Sequence, residues 1–257
     1  MAVIRHEDSW VDKPALGKVQ PYRPTYSESL TLGPTHRRLL EAPLKPGSAA
    51  IDIGIPGSLR REDAAKLYEL AFFGQGDVLI LGLGHGLGAA IVAQAFHDGG
   101  HTGAIIGVDG DARAVTRTRA SLDTYNFTEM VEVRQESPLA LCRSFGAKGR
   151  QFGLIFADHS TAYADVVGMC RLLPSLVDEG GFVLFHDFND RRNRDASHGN
   201  GHGNGGYGVY SGVIDGLPSP PFAFYGSYGC TGLYRKDDLG AAHAGSKTAS
   251  AVGLYRT

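Results

Sequence analysis

From residue 78 onward, short unbroken apolar runs alternate with longer stretches whose apolar residues recur at helical spacing. The runs are VLIL at 78–81, AIIGV at 104–108, VEV at 131–133, FGLIF at 152–156 and GFVLF at 181–185, and each but the last leads into a helix-compatible stretch. Unbroken apolar runs fit strands buried on both faces, and helices between them fit right-handed crossovers. The pattern predicts α/β architecture: five strands of a doubly wound, mostly parallel sheet. Ahead of the first run, Ala64, Leu67, Leu70 and Ala71 share one face of a helix from about Arg60 to Phe73, with Ser58 placed to cap it. After the fifth run, PFAFYGSYGCTGLYRK at 221–236 holds two aromatic-rich runs separated by glycines, which predicts a C-terminal antiparallel hairpin on the sheet edge.

Other stretches depart from this rhythm. Residues 1–46 are rich in proline and read as an N-terminal arm with short helices, followed by the domain at 47–236 and a small-residue tail at 237–257. Within the domain, a polar segment at about 190–208 interleaves glycine with Asn and His and cannot pack a core. It reads as a surface loop or as a lid that orders over substrate. His198 and His202, set in so glycine-rich a stretch, would be poorly held as metal ligands.

Composition narrows the function classes. A net charge of −2 with acids and bases mixed along the chain argues against nucleic acid as a partner and for a small soluble ligand. Three cysteines without CxxC spacing argue against a disulfide framework or a zinc cage. No run approaches the roughly 18 apolar residues of a membrane span, and the first residues lack a signal-peptide core, so no membrane partner and a cytoplasmic location are expected.

The candidate chemistry begins at the first strand. Gly82, Gly84, Gly86 and Gly88 follow it, and Gly84-His85-Gly86 opens a helix. Such a turn lets a ligand lie against backbone N–H groups at a helix N-terminus. Asp109, followed by Gly110, ends the second strand where an acid can accept hydrogen bonds from both ribose hydroxyls. A nucleoside-like cofactor is therefore expected, although the glycines also fit a dinucleotide fingerprint. Glu136 and Ser137 after the third strand, the terminal hairpin, and the lack of any Tyr with Lys four residues later shift the reading away from NAD.

At the same sheet edge, Asp158 and His159 end the fourth strand while His186 and Asp187 end the fifth, with Asn189 two residues on. Two carboxylates and an amide oxygen suit a hard ion such as Mg²⁺.

Residues from about 55 to 235 resemble a class I S-adenosylmethionine-dependent methyltransferase. GSLRREDAAKLYELA before the glycine strand, and DHS followed by LLPSLVDEGGFVLFHDF, are similar to bacterial O-methyltransferases of the macrocin and cephalosporin-tailoring type. The resemblance implies a Rossmann-like methyltransferase fold, with Gly82, Gly84, His85 and Gly86 facing the methionine part of S-adenosylmethionine. It places Asp109 and Gly110 at the ribose, Glu136 and Ser137 at the adenine, and Asp158 near the sulfonium, with Ile55 to Ser58 closing over the cofactor. The Asp/His strand ends also resemble the magnesium site of catechol-type O-methyltransferases, with two departures: Ser160 and Thr161 stand where that family has a basic Lys, and Phe188 where it has Asn.

The expectation is a Mg²⁺-dependent O-methyltransferase whose acceptor is a hydroxyl of a sugar or glycoside, such as a mannoside or glucoside of a methylated polysaccharide, with a homodimer plausible from the arm. Asp158, Asp187 and Asn189 are the candidate metal ligands, and Asp158, His159 and His186 the candidate catalytic residues, with His159 the first choice of base. A nicotinamide-dependent oxidoreductase and a non-catalytic cofactor-binding module are the alternatives.

Overall fold

One seven-stranded sheet organises the chain, ordered β3-β2-β1-β4-β5-β7-β6. The computed structural model describes residues 14–26, 33–194 and 207–237. The elements in chain order are α1 (Pro34–Leu40), α2 (Arg61–Phe73), β1 (Val78–Leu81), α3 (Leu87–Gly99), β2 (Ile105–Asp109), α4 (Ala112–Thr124), β3 (Val131–Gln135) and α5 (Pro138–Ala147). Then follow β4 (Phe152–Ala157), α6 (Tyr163–Cys170), α7 (Leu173–Leu176), β5 (Val177–Phe185), α8 (Val209–Gly216), β6 (Phe222–Tyr228) and β7 (Thr231–Lys236).

The first five strands are parallel, as their apolar runs predict. Alternate residues of β1 feed two separate cores: Val78 and Ile80 pack beneath α2, α3 and α4, whereas Leu79 and Leu81 pack beneath α5, α6, α7 and α8. β5 begins at Val177, ahead of the run at 181, and the β4–β5 register shifts between Phe152 and Leu154. The predicted hairpin is present, and β7 runs antiparallel between β5 and β6. The parallel dinucleotide order ends instead in a sixth parallel strand.

Two local expectations change. Ser58 does not cap α2: the N-cap is Arg60, whose backbone N–H donates to the Asp63 carboxylate at 2.8 Å. A carboxylate three residues into the helix thus reaches back to the N-cap backbone, where a hydroxyl ahead of the helix was expected to accept from its first turn. The polar segment is followed at once by α8, whose Val209 and Val213 are buried on α6. Most of the expected lid, residues 195–206, lies outside the described residues, as do His198 and His202.

The described part of the arm is tied to α2 by a buried polar cluster. Lys66, fully buried, donates to the carbonyl of Arg23 at 2.7 Å, to Thr25 Oγ1 at 2.9 Å and to Glu69 Oε2 at 2.6 Å. Glu69 also accepts from the Tyr22 hydroxyl at 2.6 Å and from the Thr25 N–H. His36 of α1 closes the cluster on Tyr22. Every charge here has a partner, which is what permits burial.

Replacing Lys66 by Met leaves the Glu69 carboxylate buried without its cation. The expected loss is about 3–5 kcal/mol, read as a lower urea midpoint. Acid sensitivity is expected at the same place. Burial pushes the His36 imidazole down to about 4, against the effect of Glu69. The unfolded chain therefore takes up a proton near pH 6.5 that the folded chain refuses until about pH 4. Stability is complete above the upper value and falls on the order of 3 kcal/mol on acidification through that window. Urea unfolding of His36→Gln should show a shallower fall between pH 7 and pH 4 than the parent.

Candidate active site

The glycine turn after β1 takes its shape from backbone conformations that side chains disfavour. Gly82, Gly84 and Gly86 have φ of 90°, 55° and 88°, in the region open chiefly to glycine. A Cβ on Gly82 would collide with the carbonyl of Asp158, whereas one on Gly84 would meet nothing within 4 Å. The turn is thus pressed against the end of β4 on one side and open on the other. Gly86 starts α3, and the His85 carbonyl accepts from Ser121 Oγ at 2.8 Å.

Asp109, at the end of β2, braces this turn: its Oδ2 accepts from the Leu83 N–H and its Oδ1 from the Asp111 N–H, both at 2.8 Å. Each oxygen keeps a further lone pair for a ligand hydroxyl. Gly110 beside it is exposed. Glu136 is exposed at the end of β3 and hydrogen-bonds through its N–H to the Asp109 carbonyl at 3.1 Å. Ser137 has a local task, accepting from the Ala140 N–H at 3.4 Å as the cap of α5. The carboxyl ends of β1, β2 and β3 thus bring Gly82 to Gly86, Asp109, Gly110, Glu136 and Ser137 to one edge.

The ends of β4 and β5 add the acids. His186 Nδ1 lies 2.9 Å from Asp158 Oδ1 and 3.8 Å from Asp187 Oδ2, and ligand atoms of Asp158, His186 and Asp187 all fall within 4.8 Å of one another. The Asp158 side chain is 38% exposed, that of Asp187 15% and that of His186 1%. Burial disfavours a charged His186, but the Asp158 carboxylate and Cys230 together outweigh it and hold the imidazole pKa well above its usual value. His159 goes the other way: burial lowers its pKa despite Asp165, and its Nε2 is buried without a hydrogen-bond partner.

Asn189 is not brought to this cluster. Its Oδ1 accepts from the Gly17 N–H and its Nδ2 donates to the Lys18 carbonyl at 2.9 Å, so the amide is committed to the arm. Phe188, standing where the catechol-type family has Asn, is fully buried among Tyr210, Phe224 and Tyr234. Neither residue after Asp187 therefore presents a free amide oxygen to the acids.

Arg192, Tyr207, Asp63 and Cys230 escaped sequence reasoning. Arg192 Nη2 lies 3.4 Å from Asp187 Oδ1 while its Nε donates to Asp190 at 2.9 Å, and its guanidinium stacks 4.2 Å from the ring centre of Tyr207. Asp63 and Cys230 reach His186 from α2 and the β6–β7 turn. The Arg-rich run after Asp187 was a signal for Arg192; nothing in the local sequence marks the others.

Residues 79–188 match the family model described as a methyltransferase domain. No curated protein matches the chain significantly. Among solved structures, it is similar to the O-methyltransferase from Bacillus cereus in complex with SAH, at 14% identity over 82% of this chain and 93% of that one, with a TM-score of 0.54. The O-methyltransferase TomG from Streptomyces achromogenes, involved in tomaymycin synthesis and solved with SAM, shares 16% identity over 70% and 82%, with a TM-score of 0.56. SAH-bound methyltransferase PaMTH1 from Podospora anserina shares 13% over 71% and 80%, with a TM-score of 0.54. At these identities the likeness is one of fold. The glycine turn, Asp109 and the paired strand ends all lie within the segment that matches the methyltransferase-domain model, and the sheet around them has the Rossmann-like fold of these methyltransferases.

Proposed function

We propose that the chain is an S-adenosylmethionine-dependent O-methyltransferase that acts on a hydroxyl of a sugar or glycoside with the help of Mg²⁺. One observation carries this reading: the open glycine cradle and the Asp158/Asp187 pair adjoin, Gly82 being packed against the Asp158 backbone.

The residues fit the cofactor. Gly84 leaves open space where a Cβ would stand, and Asp109 keeps acceptor capacity beside the turn. When bound, S-adenosylmethionine supplies a methyl group on an electron-poor sulfonium. Asp109 would orient the ribose, and Glu136 and Ser137, at the end of the neighbouring strand, would border the adenine.

The residues fit a hard divalent ion through two carboxylates, Asp158 and Asp187, with the imidazole of His186 held by Asp158 rather than offered as a ligand. Mg²⁺ there would lower the pKa of an acceptor hydroxyl. His159, whose imidazole burial keeps neutral, would take the hydroxyl proton. The polar Gly, Asn and His residues of 190–208 and the acidic pair favour a hydroxylated acceptor over an apolar one.

Asp109→Ala should weaken SAH binding about 10- to 100-fold by calorimetry. Binding of NAD with none of SAH would overturn the cofactor assignment. With a panel of glycosides and catechols as acceptors, EDTA should abolish methylation and Mg²⁺ restore it; full activity in EDTA removes the metal from the proposal. His159→Ala should lower kcat roughly 100- to 10,000-fold with little change in KM, and normal turnover would remove His159 as base.

A further inference from the structure

His186 has a second set of neighbours besides Asp158. Nδ1 is held by Asp158, while Nε2 is buried and finds no partner of hydrogen-bonding geometry. The ring also belongs to a buried trio, in which one of its nitrogens, the thiol of Cys230 and a carboxylate oxygen of Asp63 are within 4.8 Å of one another. Asp, His and Cys together could suggest a second metal site. The Asp63 carboxylate is already saturated, however: Oδ1 accepts from the N–H groups of Cys230 and Thr231 at 2.9 and 3.1 Å and from Thr231 Oγ1 at 2.8 Å. Its Oδ2 accepts from the Arg60 N–H at 2.8 Å and from the Cys230 thiol at 3.2 Å. Five donors leave no lone pair directed at an ion. Burial, followed by the Asp63 charge, pushes the Cys230 thiol up to about 11, which keeps the proton it donates.

The trio is therefore a fixed wall. Gly229 turns with φ of 55° so closely over Asp63 that a Cβ would strike the carboxylate. The hairpin turn and the start of α2 are locked together through Asp63, and the His186 ring is buried against them.

We propose that Asp63 and Cys230 are positioning residues which hold the His186 imidazole with Nδ1 on Asp158 and so fix the direction of the Asp158 carboxylate. Their purpose at the metal rests on the function proposed above, but the hydrogen bond they maintain does not. Partners of this kind behind a metal-binding carboxylate typically change metal affinity about 10- to 100-fold.

The test has two readouts on the SAH-bound protein. The first is the downfield Nδ1–H proton of His186 in metal-free protein by ¹⁵N-resolved NMR, assigned with His186→Gln. It should broaden or shift upfield in Cys230→Ala and in Asp63→Asn and return in Cys230→Ser. The second is Mn²⁺ binding by electron paramagnetic resonance, which should weaken about 10- to 100-fold in Cys230→Ala while SAH affinity changes less than about threefold. If Asp63→Asn fails to fold because α2 loses its cap, the Cys230 pair carries the test. An unchanged Nδ1–H signal in Cys230→Ala overturns the proposal. A signal that responds in a protein that binds no Mn²⁺ removes the metal reading and leaves the positioning role standing.

Discussion

Burial of the sheet on both faces is the constraint from which the rest of the structure follows. β1 and β4 run between two apolar cores, so an ionised side chain along their length would lose its hydration without gaining partners. In these central strands charge can enter only where the strand ends. Asp109, Asp158 and Asp187 stand at or just past the carboxyl ends of β2, β4 and β5, and the glycine turn stands at the end of β1. That placement concentrates acids, helix N-termini and open backbone on one edge, where ligands of open α/β sheets bind.

The antiparallel strand makes this edge more than the sum of its parallel strands. Because β6 runs in the same direction as β5, it ends at the carboxyl edge, and β7 must begin there to run back between them, with Phe185 opposite Gly232. The tight turn at 229–231 is thereby delivered beside His186. A sixth parallel strand would have needed a crossover arriving from the far edge. Strand order thus decides which backbone can touch the His186 ring.

The sequence made the strands and the edge chemistry legible because both depend on local patterns. Unbroken apolar runs reveal burial on two faces, and an acid directly after such a run marks the edge. The same logic failed past β5, where spacing from Asp187 suggested Asn189 as a ligand. Burial there continues through His186 and Phe188 while Asp187 alone stays partly open, and Asn189 turns to the arm. Asp63 looked like one of several acids in a helix, and Cys230 like an ordinary buried thiol. Their meeting spans 167 residues and depends on strand order, which no local pattern encodes. The arm was hidden for the same reason: its polar residues find partners on α2 and after β5, while its own apolar positions are too few to show a period.

These long-range ties explain how a small acidic cluster can hold a defined shape at an exposed edge. Asp158 is partly open to solvent, and a free carboxylate there would sample several rotamers. Its partner His186 is buried and lies beside the hairpin turn, whose position is fixed by four hydrogen bonds to Asp63 and by the Asn189 N–H on the Cys230 carbonyl at 2.8 Å. Asp187 is constrained differently, by a left-handed backbone at φ 59° and by the Arg192 guanidinium stacked on Tyr207. One acid is fixed from beneath by the core and the other from the side by a surface cation. The pair can therefore keep its spacing even though it borders solvent, which is what holding an ion or aligning a hydroxyl demands.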